Sequence, residues 1–113
     1  MEQITRQFSV RELRKANPRA KPADIALFAD AFVAYSEATL NLARFGVIVA
    51  HPRTGQPMEN PYLAIQATAR NFLAKSHRIP KDETLWTQLD RLLAELPSDS
   101  TTATATPSPP SPI

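Results

Sequence analysis

Residues 46–62, GVIVAHPRTGQPMENPY, constrain this chain more than any other stretch, because they hold both of its glycines. Gly46 follows an apolar helical pattern and supplies the left-handed residue that ends a helix. Val47-Ile48-Val49 is β-branched, as strands prefer, and turn residues come close behind it. Pro52 and Arg53-Thr54-Gly55 make the turn, and residues 56–59 return. A short β-hairpin fits this punctuation. Pro52 and Pro57 lack an N–H donor, so both arms must be short and edge-like. Asn60 then caps a new helix with Pro61 at its first position.

The flanking segments read as helices. On the N-terminal side, Pro22 suits a first helical position and Asp24 suits the positive end of the dipole. Ile25, Phe28, Phe32, Tyr35, Thr39 and Leu42 recur at 3-4 spacing, with Val33 and Leu40 widening the stripe. On the C-terminal side, Tyr62, Ile65, Ala69, Phe72 and Ser76 repeat the spacing, reinforced by Leu73. The hairpin turns the chain back, so these two helices are expected to pack antiparallel, stripe on stripe. A short N-terminal helix is expected from a capping box. The Ser9 hydroxyl would accept from the Glu12 N–H and the Glu12 carboxylate would reach back, with Phe8 and Leu13 as a hydrophobic staple. Residues 1–7 show no periodicity and read as loose. That helix must stop by Asn17, because Pro18 disfavours helical backbone in the residue before it. A last helix is expected from Pro80, ended by Pro97. The fold class is therefore mainly α: an antiparallel helical pair joined by a short β-hairpin, plus a short N-terminal and a C-terminal helix. Residues 1–21 form a basic arm, 22–97 the helical core, and 98–113 a Ser/Thr/Pro-rich tail that cannot bury enough apolar surface to order itself.

Composition excludes several function classes. The chain has 113 residues, enough for one small domain. It has no cysteine, hence no disulfide framework and no thiolate zinc site. No apolar run approaches the roughly 20 residues that span a bilayer, and the N-terminus lacks a signal core. A cytoplasmic protein is expected. Neither glycine belongs to a phosphate-cradling loop. His51 and His77 lie in separate breaks without metal-ligand spacing, and Asp30 and Glu37 read as a solvated face. No catalytic residues, metal or cofactor are expected, and the chain reads as a non-enzyme.

Charge and apolar surplus supply the candidate sites. The net charge is +2, but residues 1–21 carry six cations against two acids while the rest is net negative. Arg6, Arg11, Arg14, Lys15, Arg19 and Lys21 are candidate phosphate contacts, because clustered cations release DNA counterions on binding. The plain alternative is a solvated arm. Leu85, Trp86, Leu89, Leu92, Leu93 and Leu96 line one side of the last helix. Such a stripe is more often core than partner site. If the helical pair covers itself, however, this stripe has little left to pack on and is a candidate self-association surface.

Residues 22–96 resemble the phage terminase small subunit, in the branch with helix, short hairpin and helix. The resemblance rests on Asp24, Tyr35, Gly46-Val47-Ile48-Val49, Gly55-Gln56-Pro57, Asn60-Pro61-Tyr62-Leu63 and Ile79-Pro80. The Gly-Leu-x-Pro-x-x-Arg-like turn of that family is here Arg78-Ile79-Pro80-Lys81-Asp82-Glu83, without the Gly and the final Arg, so no role is carried onto it. The resemblance implies a non-enzymatic packaging factor in the cytoplasm of an infected bacterial host. Its partners would be double-stranded viral DNA, a large terminase subunit with the ATPase and nuclease, and further copies of itself in a ring. The alternative is a small helical protein–protein adaptor with no DNA role.

Overall fold

In a computed structural model, which describes residues 3–76 and 78–96, the hairpin stands where its turn residues put it. Strand β1 (Ile48–Ala50) pairs antiparallel with β2 (Pro57–Glu59), with Ile48 opposite Glu59, Val49 opposite Met58 and Ala50 opposite Pro57. Gly46 and Gly55 both have positive φ, at 87° and 74°. Around the hairpin lie α1 (Arg6–Ala16), α2 (Pro22–Phe45), α3 (Tyr62–Lys75) and α4 (Glu83–Ala94). The helix, hairpin, helix order with a helix at each end is the expected fold. His77 and the tail at 98–113 lie outside the described residues, as does Pro97.

The long helix α2 buries two sides. Ile25, Phe28, Ala29, Phe32 and Ser36 make one stripe, and Ala38, two residues further, falls on the opposite side. Core residues of α1 and α4 pack on this stripe, and Leu73 of α3 packs against the same core. The core joins Ile4, Phe8 and Leu13 to Ile25, Phe28 and Phe32, and both groups to Ile79, Leu85 and Leu89. Phe32 meets the Trp86 ring edge-on at 4.8 Å between centroids, and Tyr35 meets it at 5.5 Å. Of the self-association stripe expected on the last helix, Leu85 and Leu89 are buried, Trp86, Leu92 and Leu93 pack half-buried against the core, and Leu96 is half-buried. The reason is the stripe on α2, whose aromatic residues face α4.

Helix α3 lies along α2 and reaches this core through Leu73. Ala69 is its one buried residue, and Gln66 Nε2 donates to Thr39 Oγ1 at 3.1 Å. Ile65 and Phe72, expected to face α2, are 43% and 41% exposed. Of the expected face, Ala69 is buried and Tyr62, Leu73 and Ser76 are half-buried, so the contact keeps part of that stripe and adds Gln66 beside it.

The N-terminal helix starts earlier than the capping box predicts. Thr5 is its N-cap, with Oγ1 accepting from Phe8 N at 3.0 Å. Ser9 lies one turn inside and is fully buried, so the Ser9–Glu12 box does not form. Phe8 and Leu13 are core residues, not a staple. Ile4 is buried too, and residues 4 and 8, one turn apart, draw the helix start inward. Helix α4 in turn starts later than Pro80. The backbone of Lys81 is engaged by the Asn17 side chain, with Nδ2 donating to Lys81 O at 2.7 Å and Oδ1 accepting from Lys81 N at 3.1 Å.

Candidate nucleic-acid interface

Helix α1 buries Phe8, Ser9 and Leu13 and turns its long cations outward. Arg6, Arg11, Arg14 and Lys15 share the outer side of the helix with Gln7 and Val10. Arg6 Nε pairs with Asp30 Oδ1 at 2.9 Å, both groups more than half exposed. Arg11 Nε and Lys15 Nζ converge on Glu12 Oε2 at 3.1 and 3.4 Å. The Arg11 hydrogen bond holds the Glu12 carboxyl below its ordinary value, and the charge and hydrogen bond of Lys15 add to this against the opposing effect of burial. The Arg6–Asp30 pair, exposed at both ends, is of the weak kind. Arg14 makes no ion pair among the described residues.

The remaining cations of the arm sit in the turn between α1 and α2. Asn17 ends α1, and the Ala20 N–H donates to its carbonyl at 3.1 Å. Arg19 and Lys21 are exposed on this turn. Across from it runs the segment that leads into α4, carrying Arg78 and Lys81. Arg19, Arg78 and Lys81 line one cleft together with Pro18 and Pro80. Arg78 Nη1 lies 3.3 Å from Asp24 Oδ1, with its side chain 74% exposed. Arg78 and Lys81 are not among the cations expected from the sequence. They stand some sixty residues from Arg19, and nothing local marks them; the one hint is Asn17 itself, a polar residue at a helix end that turns out to be buried.

Among the described residues, the exposed large apolar ones are Leu27, Phe45, Val47, Ile48, Ile65 and Phe72. All lie on α2, the hairpin or α3, and none on α1 or α4. Leu27 and Phe72 line one groove with Asp24, Lys75, Ser76 and Arg78, where the start of α2 meets the end of α3. Phe45, Val47 and Ile48 are at the other end of the pair.

Among the described residues no group of three His, Cys, Asp or Glu could hold a metal ion. None of their helices is long and apolar enough to cross a membrane. His51 is a turn residue: its Nδ1 accepts from Arg53 N at 3.0 Å and Thr54 N at 3.3 Å. Asp30 is taken up by Arg6, and Glu37 is exposed. No protein-family model, curated protein or solved structure matches the chain.

Proposed function

We propose that this chain is a DNA-binding, self-assembling subunit without catalysis of its own, acting as a phage terminase small subunit does. In that role it binds double-stranded viral DNA and presents it to a large subunit that carries the ATPase and nuclease. The observation that carries the reading is the division of the surface between elements. Among the described residues, eight of the thirteen cations lie on α1 and the two segments joined at Asn17, and the exposed large apolar residues lie on α2, the hairpin and α3, beside the fewer cations Arg44, Arg53, Arg70 and Lys75. One surface suits a polyanion and another suits a neighbouring subunit.

The neighbour is a second copy. Leu27 and Phe45 are separated by about 27 Å along α2 at 1.5 Å per residue. An apolar patch at each end of the helical pair permits one copy to seat its end on the opposite end of the next. Such a head-to-tail contact repeats, and it closes into a ring when the rotation closes.

Two measurements on the full chain test this. Sedimentation at micromolar concentration should give a closed multimer, and a duplex of about 25 base pairs should bind with an affinity that falls steeply with salt. A monomer that ignores duplex DNA overturns the proposal. A multimer that ignores it identifies a protein–protein adaptor instead.

A further inference from the structure

We infer that the cleft between the α1–α2 turn and the segment entering α4 is a seat for the phosphate backbone of the bound duplex, with Arg19, Arg78 and Lys81 as its phosphate contacts. This rests on the DNA-binding reading above and extends it to two residues outside the N-terminal arm.

Three observations support it. First, the lining residues of the cleft include three cations and no acid. Like charges do not gather in a groove for stability, since they repel, so their convergence from two distant segments suits an anion. Second, the cleft is built to hold its shape. Asn17 is buried and bonds both N–H and C=O of Lys81, tying one wall to the other. Pro18 and Pro80 restrict φ in the two walls. Third, the cations are presented and not consumed. Arg19 and Lys81 make no ion pair among the described residues, and both are exposed. Arg78 reaches Asp24 through Nη1 alone, which leaves donors of its five-donor guanidinium for a phosphate. The acids nearest in sequence do not close the cleft: Asp24 holds Arg78, and Asp82 Oδ2 accepts from Trp86 Nε1 at 2.9 Å. Arg14 and Lys15, in the last turn of α1, bring the outer row of helix cations up to the cleft.

The test compares duplex binding by the wild-type chain, by Arg19→Gln/Arg78→Gln/Lys81→Gln, and by Arg53→Gln. Arg53 stands on the hairpin at the far end of α2, about 36 Å away for a helix of 24 residues. The slope of log affinity against log salt should flatten by about 0.9 for each phosphate left unneutralised, hence by about 2.7 in the triple variant. Arg53→Gln should leave it unchanged. Lys81→Arg should bind as wild type, since it keeps the charge. If wild type and triple variant share one slope, the cleft is no phosphate seat, although DNA binding stands. Equal flattening per charge removed in the triple variant and in Arg53→Gln would show only a general charge effect and also overturn it. If the wild type does not bind duplex DNA, the functional reading falls and the cleft assignment with it.

Discussion

Asn60 and Asn17 are buried, and each uses both amide hydrogens and its carbonyl oxygen. Asn60 Nδ2 donates to Asn41 Oδ1 at 2.8 Å and to Gly46 O at 3.0 Å, while Oδ1 accepts from Tyr62 N at 3.0 Å. It joins the end of α2, the base of the hairpin and the start of α3. Asn60→Ala should cost about 2–4 kcal/mol, since it removes three bonds and leaves buried groups unpaired; a urea titration that finds under about 1 kcal/mol would show that water replaces them. Ser9 gives the opposite case. Its hydroxyl is fully buried with no hydrogen-bond partner, as is that of Ser36. Ser9→Ala should therefore be neutral or stabilising by up to about 1 kcal/mol, because it removes an unsatisfied polar group at little change of shape. Thr5→Ala, which removes the actual N-cap, should cost about 1 kcal/mol. A melting temperature that falls for Thr5→Ala and holds or rises for Ser9→Ala checks both.

At the level of the helices, α1 carries a charge cluster and α4 an apolar face, and each has a consequence. The Glu12 carboxyl is held low by Arg11 and then Lys15. A depressed carboxylate stabilises the fold above its unfolded value, about 4.3, and that contribution is lost as pH falls through the lower folded value. Wild type should exceed Glu12→Gln in stability at pH 7 by about 0.2–1 kcal/mol, as exposed pairs do. The gap should close below about pH 4. A gap independent of pH would mean that the charge is not its source. In α4, Leu89 is 3% exposed. Leu89→Asp should unfold the chain, since an unpaired buried charge costs more than a small domain can offset. Loss of the far-ultraviolet helical signal reads this directly.

The whole molecule is a three-helix core with α3 and the hairpin carried on one side of α2. A helix supported on one face leaves its other face wet, which is why Ile65 and Phe72 remain exposed. Phe72→Asp should lower the assembled mass and keep the helical signal, in contrast to Leu89→Asp. Sedimentation and circular dichroism on the same samples separate the two outcomes. A Phe72→Asp chain that stays fully assembled would place the subunit contact elsewhere.

The features legible in the chain alone are local ones. Gly46, Gly55 and Pro57 dictate the hairpin through the backbone angles they allow or forbid, Pro18 ends α1, and Pro22 opens α2. Steric effects of this kind act within a few residues, so they need no fold to be read. Which faces meet is a matter of packing. Helix α2 is apolar around much of its girth, and periodicity cannot say which side α3 takes; the Phe32–Trp86 contact selects α4 for the aromatic stripe. Ser9 shows the same limit, since a capping spacing is present but burial of Ile4 and Phe8 places the helix start one turn earlier. The six arm cations are visible as a run of charge. Arg78 and Lys81 join them through two hydrogen bonds between Asn17 and Lys81, a link across sixty-four residues that no local pattern encodes.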